Sequence, residues 1–251
     1  MLAIDGLTKR FSGLLAVSGV SFAVARGQVV AIVGPNGAGK TTLFNLITGV
    51  IRPDAGSVFF DERRVTGWAP HRLAALGISR TFQNIRLFGH LNALENVMVG
   101  RTCRGRSGVL DAMLNTPRHR SERRDAIARA EALLDWVGVG ANRFRLPGEL
   151  PYGDQRRVEI ARALAVEPRL LILDEPTAGM VAGEAHAVIE LIARLRESAV
   201  TLLLIEHNMN VVMSAADRVV VVNFGQKIAE GTPAEIRADP LVVEAYLGIE
   251  E

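Results

Sequence analysis

The nine residues GPNGAGKTT, Gly34 to Thr42, constrain this 251-residue chain more than any other stretch. They fit G-x-x-x-x-G-K-[ST] and lie between VVAIVG, apolar throughout, and a segment that reads as a helix from Lys40 to about Val50, stopped before Pro53. Glycines at these places permit backbone angles that other residues resist, so that amide N–H groups close around phosphates. Gly34, Pro35, Asn36, Gly37, Ala38, Gly39, Lys40, Thr41 and Thr42 are therefore the candidate phosphate-binding residues. Lys40 supplies a point charge to β and γ phosphates, Thr41 a hydroxyl to Mg²⁺, and the helix N-terminus about half a positive charge. The motif by itself indicates a nucleoside triphosphate and no more. GTPases and small-molecule kinases share it, but no guanine-reading N-K-x-D follows, which disfavours a GTPase.

Composition narrows the class. Nearly half the residues are apolar, enough for a large core. The formal net charge of +2 weighs against a dedicated nucleic-acid binder. The single cysteine, Cys103, rules out an internal disulfide and suits a reducing compartment. The start, MLAIDGLTKRF, has an early aspartate and no long apolar stretch, unlike a signal peptide. The apolar runs VVAIVG, LLILD, VTLLLIE and RVVVVNF are far shorter than the roughly 20 residues of a membrane span. The chain is not expected to cross a membrane by itself, although it can sit on one.

Residues 2–33 read as strands, and GSVFF with RRVTG as a hairpin. From about Asn84 to Val166 the pattern turns helical, with Gly138 as a stop after RRDAIARAEALLDWVGV. The C-terminal third alternates strand and helix, as a parallel sheet with crossovers does. In TPAEIRAD, Thr232 is the expected N-cap, with Pro233 at the first helical position. Residues 101–124 carry many arginines and turn residues: either a solvated loop or a basic face toward anionic headgroups or a membrane partner.

LLILDEP ends a buried strand with Asp174 and Glu175, at the crevice where α/β sheets bind ligands. Asp174 is placed to hold Mg²⁺, and Glu175 to orient and polarise an attacking water. His207 ends a third buried strand, VTLLLIEH, and its position suits a γ-phosphate contact. Gln83, in SRTFQN, follows another short apolar strand; its amide is a candidate for Mg²⁺ or the water.

In order, GPNGAGKTT, Gln83, LPYGDQRR, LLILDEP and His207 resemble the ATP-binding cassette of ABC transporters over essentially the whole chain. RTFQNIRLF, LENVMVG, QRRVEIARAL and EAYLG are similar to the branched-chain amino acid uptake branch; lipopolysaccharide-export and urea-uptake ATPases are near relatives, and soluble non-transport members exist. The resemblance implies one cassette over residues 1–251: a RecA-like α/β P-loop core, an antiparallel β subdomain and a helical subdomain at about 84–165. It implies ATP and Mg²⁺, an adenine stacked on Phe11, and a head-to-tail pair with a second cassette, either a copy or a paralogue. It also implies integral membrane permease subunits docked at the Gln83 loop, indirect work with a periplasmic substrate-binding protein, and a peripheral place on the cytoplasmic face of the inner membrane.

By the same resemblance, LPYGD contacts the γ-phosphate of the ATP held by the opposite chain, with Tyr152 and Gly153 as its binding residues. Pro151 stands where the family has a serine and offers neither hydroxyl nor N–H, whereas Gly153 keeps its donor. Asp154 suits a helix N-terminus by about 0.3–1 kcal/mol yet brings negative charge toward a polyphosphate, so its direction decides its effect. The reading is a working loop with fewer contacts. Val181 replaces a polar residue expected across the dimer, and Asn208 an aspartate.

Overall fold

The structure is a computed structural model that describes residues 1–105, 107–206 and 208–247. The chain opens with β1 (Leu2–Phe11) and β2 (Leu14–Val24), then β3 (Val29–Val33), α1 (Lys40–Ile47), β4 (Ala55–Phe60), β5 (Arg63–Arg64), α2 (Pro70–Leu76) and β6 (Ile78–Arg80). β2, β1, β4 and β5 make an antiparallel sheet in that order, and the expected hairpin closes through Phe60↔Arg63. Four helices follow: α3 (Ala93–Arg101), α4 (Val109–Met113), α5 (Pro117–Trp136) and α6 (Tyr152–Ala165). The remainder is β7 (Leu170–Asp174), α7 (Ala182–Glu197), β8 (Thr201–Ile205), α8 (Met209–Ala215), β9 (Arg218–Asn223), β10 (Gln226–Gly231), α9 (Pro233–Ala238) and α10 (Pro240–Leu247).

The second sheet runs β10-β9-β3-β8-β7-β6. β9, β3, β8, β7 and β6 are parallel, and β10 pairs antiparallel to β9. The central strands β3, β8 and β7 are buried at every position because both faces of the sheet are covered. Val29, Ala31 and Val33 point into a core shared with α3, α5, α6 and α7, whereas Val30 and Ile32 point into one shared with α1 and the first sheet. The sheet is thus a wall between two cores, and the parallel strands deliver Gly34, Asp174 and Glu206 to one edge.

Residues 101–124 are mostly helical, and not a loop as one reading of the sequence has it. Thr116 accepts from the His119 amide at 3.3 Å and Pro117 takes the first position, so α5 starts well before the apolar periodicity begins. Thr232 caps α9 as expected, in a reciprocal box with Glu235. No helix of the described residues is long and apolar enough to cross a membrane.

Candidate functional site

The phosphate loop joins β3 to α1. Close backbone approach dictates two of its glycines. A Cβ on Gly34 would run into the Val222 carbonyl oxygen, and one on Gly39 (φ +98) into that of Ala16. The Lys40 ammonium is drawn into the loop, donating to the carbonyls of Gly34 at 2.6 Å and Pro35 at 2.8 Å. Burial pushes its pKa down, and the Glu175 charge opposes that shift. An anion in the loop would relieve the same desolvation cost, so a polyphosphate fits this cradle. Thr41 is exposed on the first turn of α1, Thr42 is half-buried, and Asn36 and Gly37 lie open at the rim.

Asp174 is buried at the end of β7. Burial pushes its carboxyl pKa up, and Arg80 opposes, donating from Nη2 to Oδ2 at 2.9 Å. Arg80 is itself fixed by Asn45 Oδ1 at 2.8 Å and Thr48 Oγ1 at 2.9 Å, both at the end of α1. The acid strand and the phosphate-loop helix are thereby tied through one guanidinium fork. Glu175 follows with a left-handed backbone (φ 44), its N–H donating to the Ile205 carbonyl at 2.9 Å. That turn lifts its side chain to the exposed Gln83, whose Nε2 donates to Glu175 Oε2 at 2.9 Å. The Thr41 hydroxyl and the Asp174 carboxylate are oxygen donors of the kind that Mg²⁺ takes. His207 lies outside the described residues. Its neighbour Glu206 is buried at the end of β8 and accepts from Thr177 Oγ1 at 2.6 Å.

The Gln83 segment is held from beneath by α6. Arg156, fully buried, donates to the carbonyls of Phe82 and Gln83, each at 2.6 Å, and to Glu159 Oε2 at 2.8 Å. Burial pushes the Glu159 pKa up, and Arg156 and Arg162 counter it. The first turn of α6 holds the LPYGD loop. Pro151 is its N-cap without a side-chain bond, and the Gly153 N–H donates to Glu184 Oε1 at 3.1 Å. Asp154 faces away from the helix end, accepting from Asn142 Nδ2 at 3.1 Å and pairing with Arg157. Its charge is therefore absorbed locally. Tyr152 is half-exposed beside Gly179 of the loop before α7, where Val181 is exposed. Phe11 is 41% exposed at the end of β1, with Lys9 Nζ 5.5 Å from its ring centroid, and so is no core aromatic.

Lys40, Asp174, Glu175 and Gln83 thus converge on one edge of the sheet, while Gly153 contacts the start of α7 and Tyr152 the loop before it. Sequence reasoning passed over Arg80, Arg156, Glu159 and Glu184. Arg80 had a signal, a charge ending a buried strand just before Gln83. Arg156 and Glu159 had one too, charges three apart on the buried side of an apolar helix.

A family model described as "ABC transporter" matches residues 17–178, and one described as "Branched-chain amino acid ATP-binding cassette transporter" matches residues 226–251. The high-affinity branched-chain amino acid transport ATP-binding protein LivG of Salmonella typhimurium is 44% identical, over 99% of this chain and 98% of its own. BraF of Pseudomonas aeruginosa, of the same description, is 46% identical over the same shares. A crystal structure of a nucleotide-free ATP-binding cassette from an ABC transporter superposes with a TM-score of 0.85, at 34% identity and 98% coverage of both chains. A dimeric, post-hydrolysis cassette bound to ADP and Pi superposes with a TM-score of 0.78, at 25% identity, covering 93% of this chain and 99% of that one. With its phosphate loop, acidic strand end and Gln83 contact in the arrangement described, this chain belongs to the ABC transporter family as an ATP-binding cassette.

Proposed function

We propose that this chain is the ATP-hydrolysing subunit of a membrane importer and that the imported solute is a branched-chain amino acid. The observation that carries the enzymatic part is the 2.9 Å bond between Gln83 and Glu175, which joins an exposed loop to the carboxylate beside the metal-binding aspartate. The phosphate-loop amides and Lys40 hold the β and γ phosphates, and Phe11 offers an open ring face for adenine. Thr41 and Asp174, with Gln83, would hold Mg²⁺, which would supply neutralisation of phosphate charge. Glu175 orients water in line with the γ-phosphorus and polarises it, and His207 contacts the γ-phosphate.

Gly153 brings its amide to the nucleotide of a second cassette in a head-to-tail pair. Pro151 and Val181 remove a hydroxyl and a polar contact from that interface, which favours a paralogous partner over a second copy. Permease subunits dock in the cleft of about 680 Å³ lined by Phe82, Arg86, Phe88, Glu159 and Arg162, which borders the Gln83 segment. Residues 84–165 move with them as a helical subdomain. In this reading the chain sits peripherally on the cytoplasmic face, and a periplasmic substrate-binding protein is reached only through the permease.

The test is uptake of labelled leucine in the native cell, with Lys40→Ala or Gly153→Asp replacing the native chain, together with phosphate release by purified Glu175→Gln. Loss of uptake in both replacements at normal protein levels, and loss of turnover in Glu175→Gln, are expected. Intact leucine uptake in both would remove the substrate assignment, and native turnover in Glu175→Gln would remove the role of that carboxylate.

A further inference from the structure

The arginine-rich segment between α3 and α5 is anchored at its base and unpartnered at its tip. Arg101 pairs with Glu167 at 2.8 Å, and Arg104 donates to the carbonyls of Val166 at 2.7 Å and Glu167 at 3.1 Å. At the tip, Val109, Leu110, Met113 and Leu114 are each 74–77% exposed. Among the described residues, no other six-residue window exposes more than two large apolar side chains.

Acidic groups of the tip are used internally. Asp111 accepts from the Gly108 amide at 3.0 Å and from Thr116 Oγ1 at 3.1 Å, and Glu122 from Ser107 Oγ at 2.7 Å. Asp125 is the one further acid on the opening turns of α5. Against it, Arg118, Arg120, Arg123 and Arg124 are exposed and form no ion pair among the described residues. Behind α4 an open cleft of about 720 Å³ separates it from α3, walled by Leu91, Met98, Val99 and Val109 with Arg123 at its lining. Val99 also lines the cleft assigned above to the permease, so the tip adjoins the side of the cassette that faces the membrane.

We propose that α4 and the first turns of α5 form a lipid-contacting site, in which the four apolar side chains enter the headgroup region of an anionic bilayer and the four arginines engage lipid phosphates. The membrane-facing orientation rests on the importer reading; the lipid chemistry does not. Exposed Leu and Met beside unpaired arginines is the pattern of an interfacial segment, and basic residues near an anionic surface strengthen its binding. The sign of the charge favours lipid over a permease loop. Cytoplasmic loops of membrane proteins are enriched in Lys and Arg and would repel these arginines, whereas the cytoplasmic leaflet is anionic.

Flotation of the purified chain with vesicles decides it. The native chain is expected to float with phosphatidylglycerol–phosphatidylethanolamine vesicles, to be released by raised salt, and to stay behind with pure phosphatidylcholine. Replacing Leu110, Met113 and Leu114 by Ser, or Arg120 and Arg124 by Glu, is expected to lower recovery about tenfold or more, with ATP turnover unchanged. Equal recovery on both vesicle types, or no effect of either variant, overturns the proposal. So does a failure to float together with photo-crosslinking from position 113 to a permease subunit in the assembled transporter, which would make the partner a protein. Loss of leucine uptake plays no part in this readout, so the importer reading and the lipid site fail separately.

Discussion

The Gly153 amide, the donor that LPYGD retains, is bonded to the Glu184 carboxylate at 3.1 Å. A carboxylate oxygen on a helix N-terminus occupies the kind of place that a phosphate oxygen takes. On the proposed head-to-tail pairing, Glu184 is an internal stand-in that an opposing ATP would have to displace. Glu184→Ala is expected to lower the ATP concentration for half-maximal dimerisation by about two- to tenfold, the worth of one hydrogen bond of about 0.5–1.5 kcal/mol. Size-exclusion chromatography at graded ATP, in a Glu175→Gln background that slows turnover, measures it. An unchanged midpoint would show that Glu184 does not compete.

Arg80 holds Asp174 from the strand beside it and reaches α1 through Asn45 and Thr48. Both side chains of the ion pair are nearly buried, so removing one leaves an uncompensated charge. Arg80→Ala is expected to destabilise the fold by about 3 kcal/mol in urea denaturation and to raise the Mg²⁺ concentration needed for turnover. A loss under about 1 kcal/mol would mean that water replaces the guanidinium at little cost.

Arg156 makes α6 and the Gln83 segment one mechanical unit, with two carbonyls and Glu159 on a single buried guanidinium. Arg156→Lys keeps the charge but not the fork, and is expected to cost about 2 kcal/mol of stability. If this unit carries movement between the permease cleft and Glu175, leucine uptake falls more than the basal ATPase rate does. Equal losses would point to simple destabilisation.

Gly13 and Gly39 have nearly the same φ, +97 and +98, in different surroundings. Nothing lies within 4 Å of a Cβ at Gly13, whereas one at Gly39 strikes the Ala16 carbonyl. Gly13→Ala is expected to cost about 1 kcal/mol, for the dihedral alone. Gly39→Ala is expected to exceed about 2 kcal/mol and to abolish ATP binding, by equilibrium denaturation and nucleotide titration. Equal costs would show that the loop yields to the added methyl.

Much of this protein was determined by short-range pattern. Continuous apolar runs specify the central parallel strands because both their faces are covered, and the spacing of GPNGAGKTT specifies a strand, an anion-binding turn and a helix in succession. Asp174 and Glu175 were legible for the same reason, since a strand end carries its side chains to the crevice. The direction of Asp154, the capture of the Gly153 amide by Glu184, the seat of Arg156 under Gln83 and the tie from Arg80 to Asp174 were not. Each joins residues 12 to 94 positions apart or turns on which neighbour lies nearer, Asp154 to Asn142 being the shortest and Arg80 to Asp174 the longest. Such contacts depend on how helices α6 and α7 pack on the sheet. Periodicity tells which face of an element is buried, and only packing decides which charge waits on the other side.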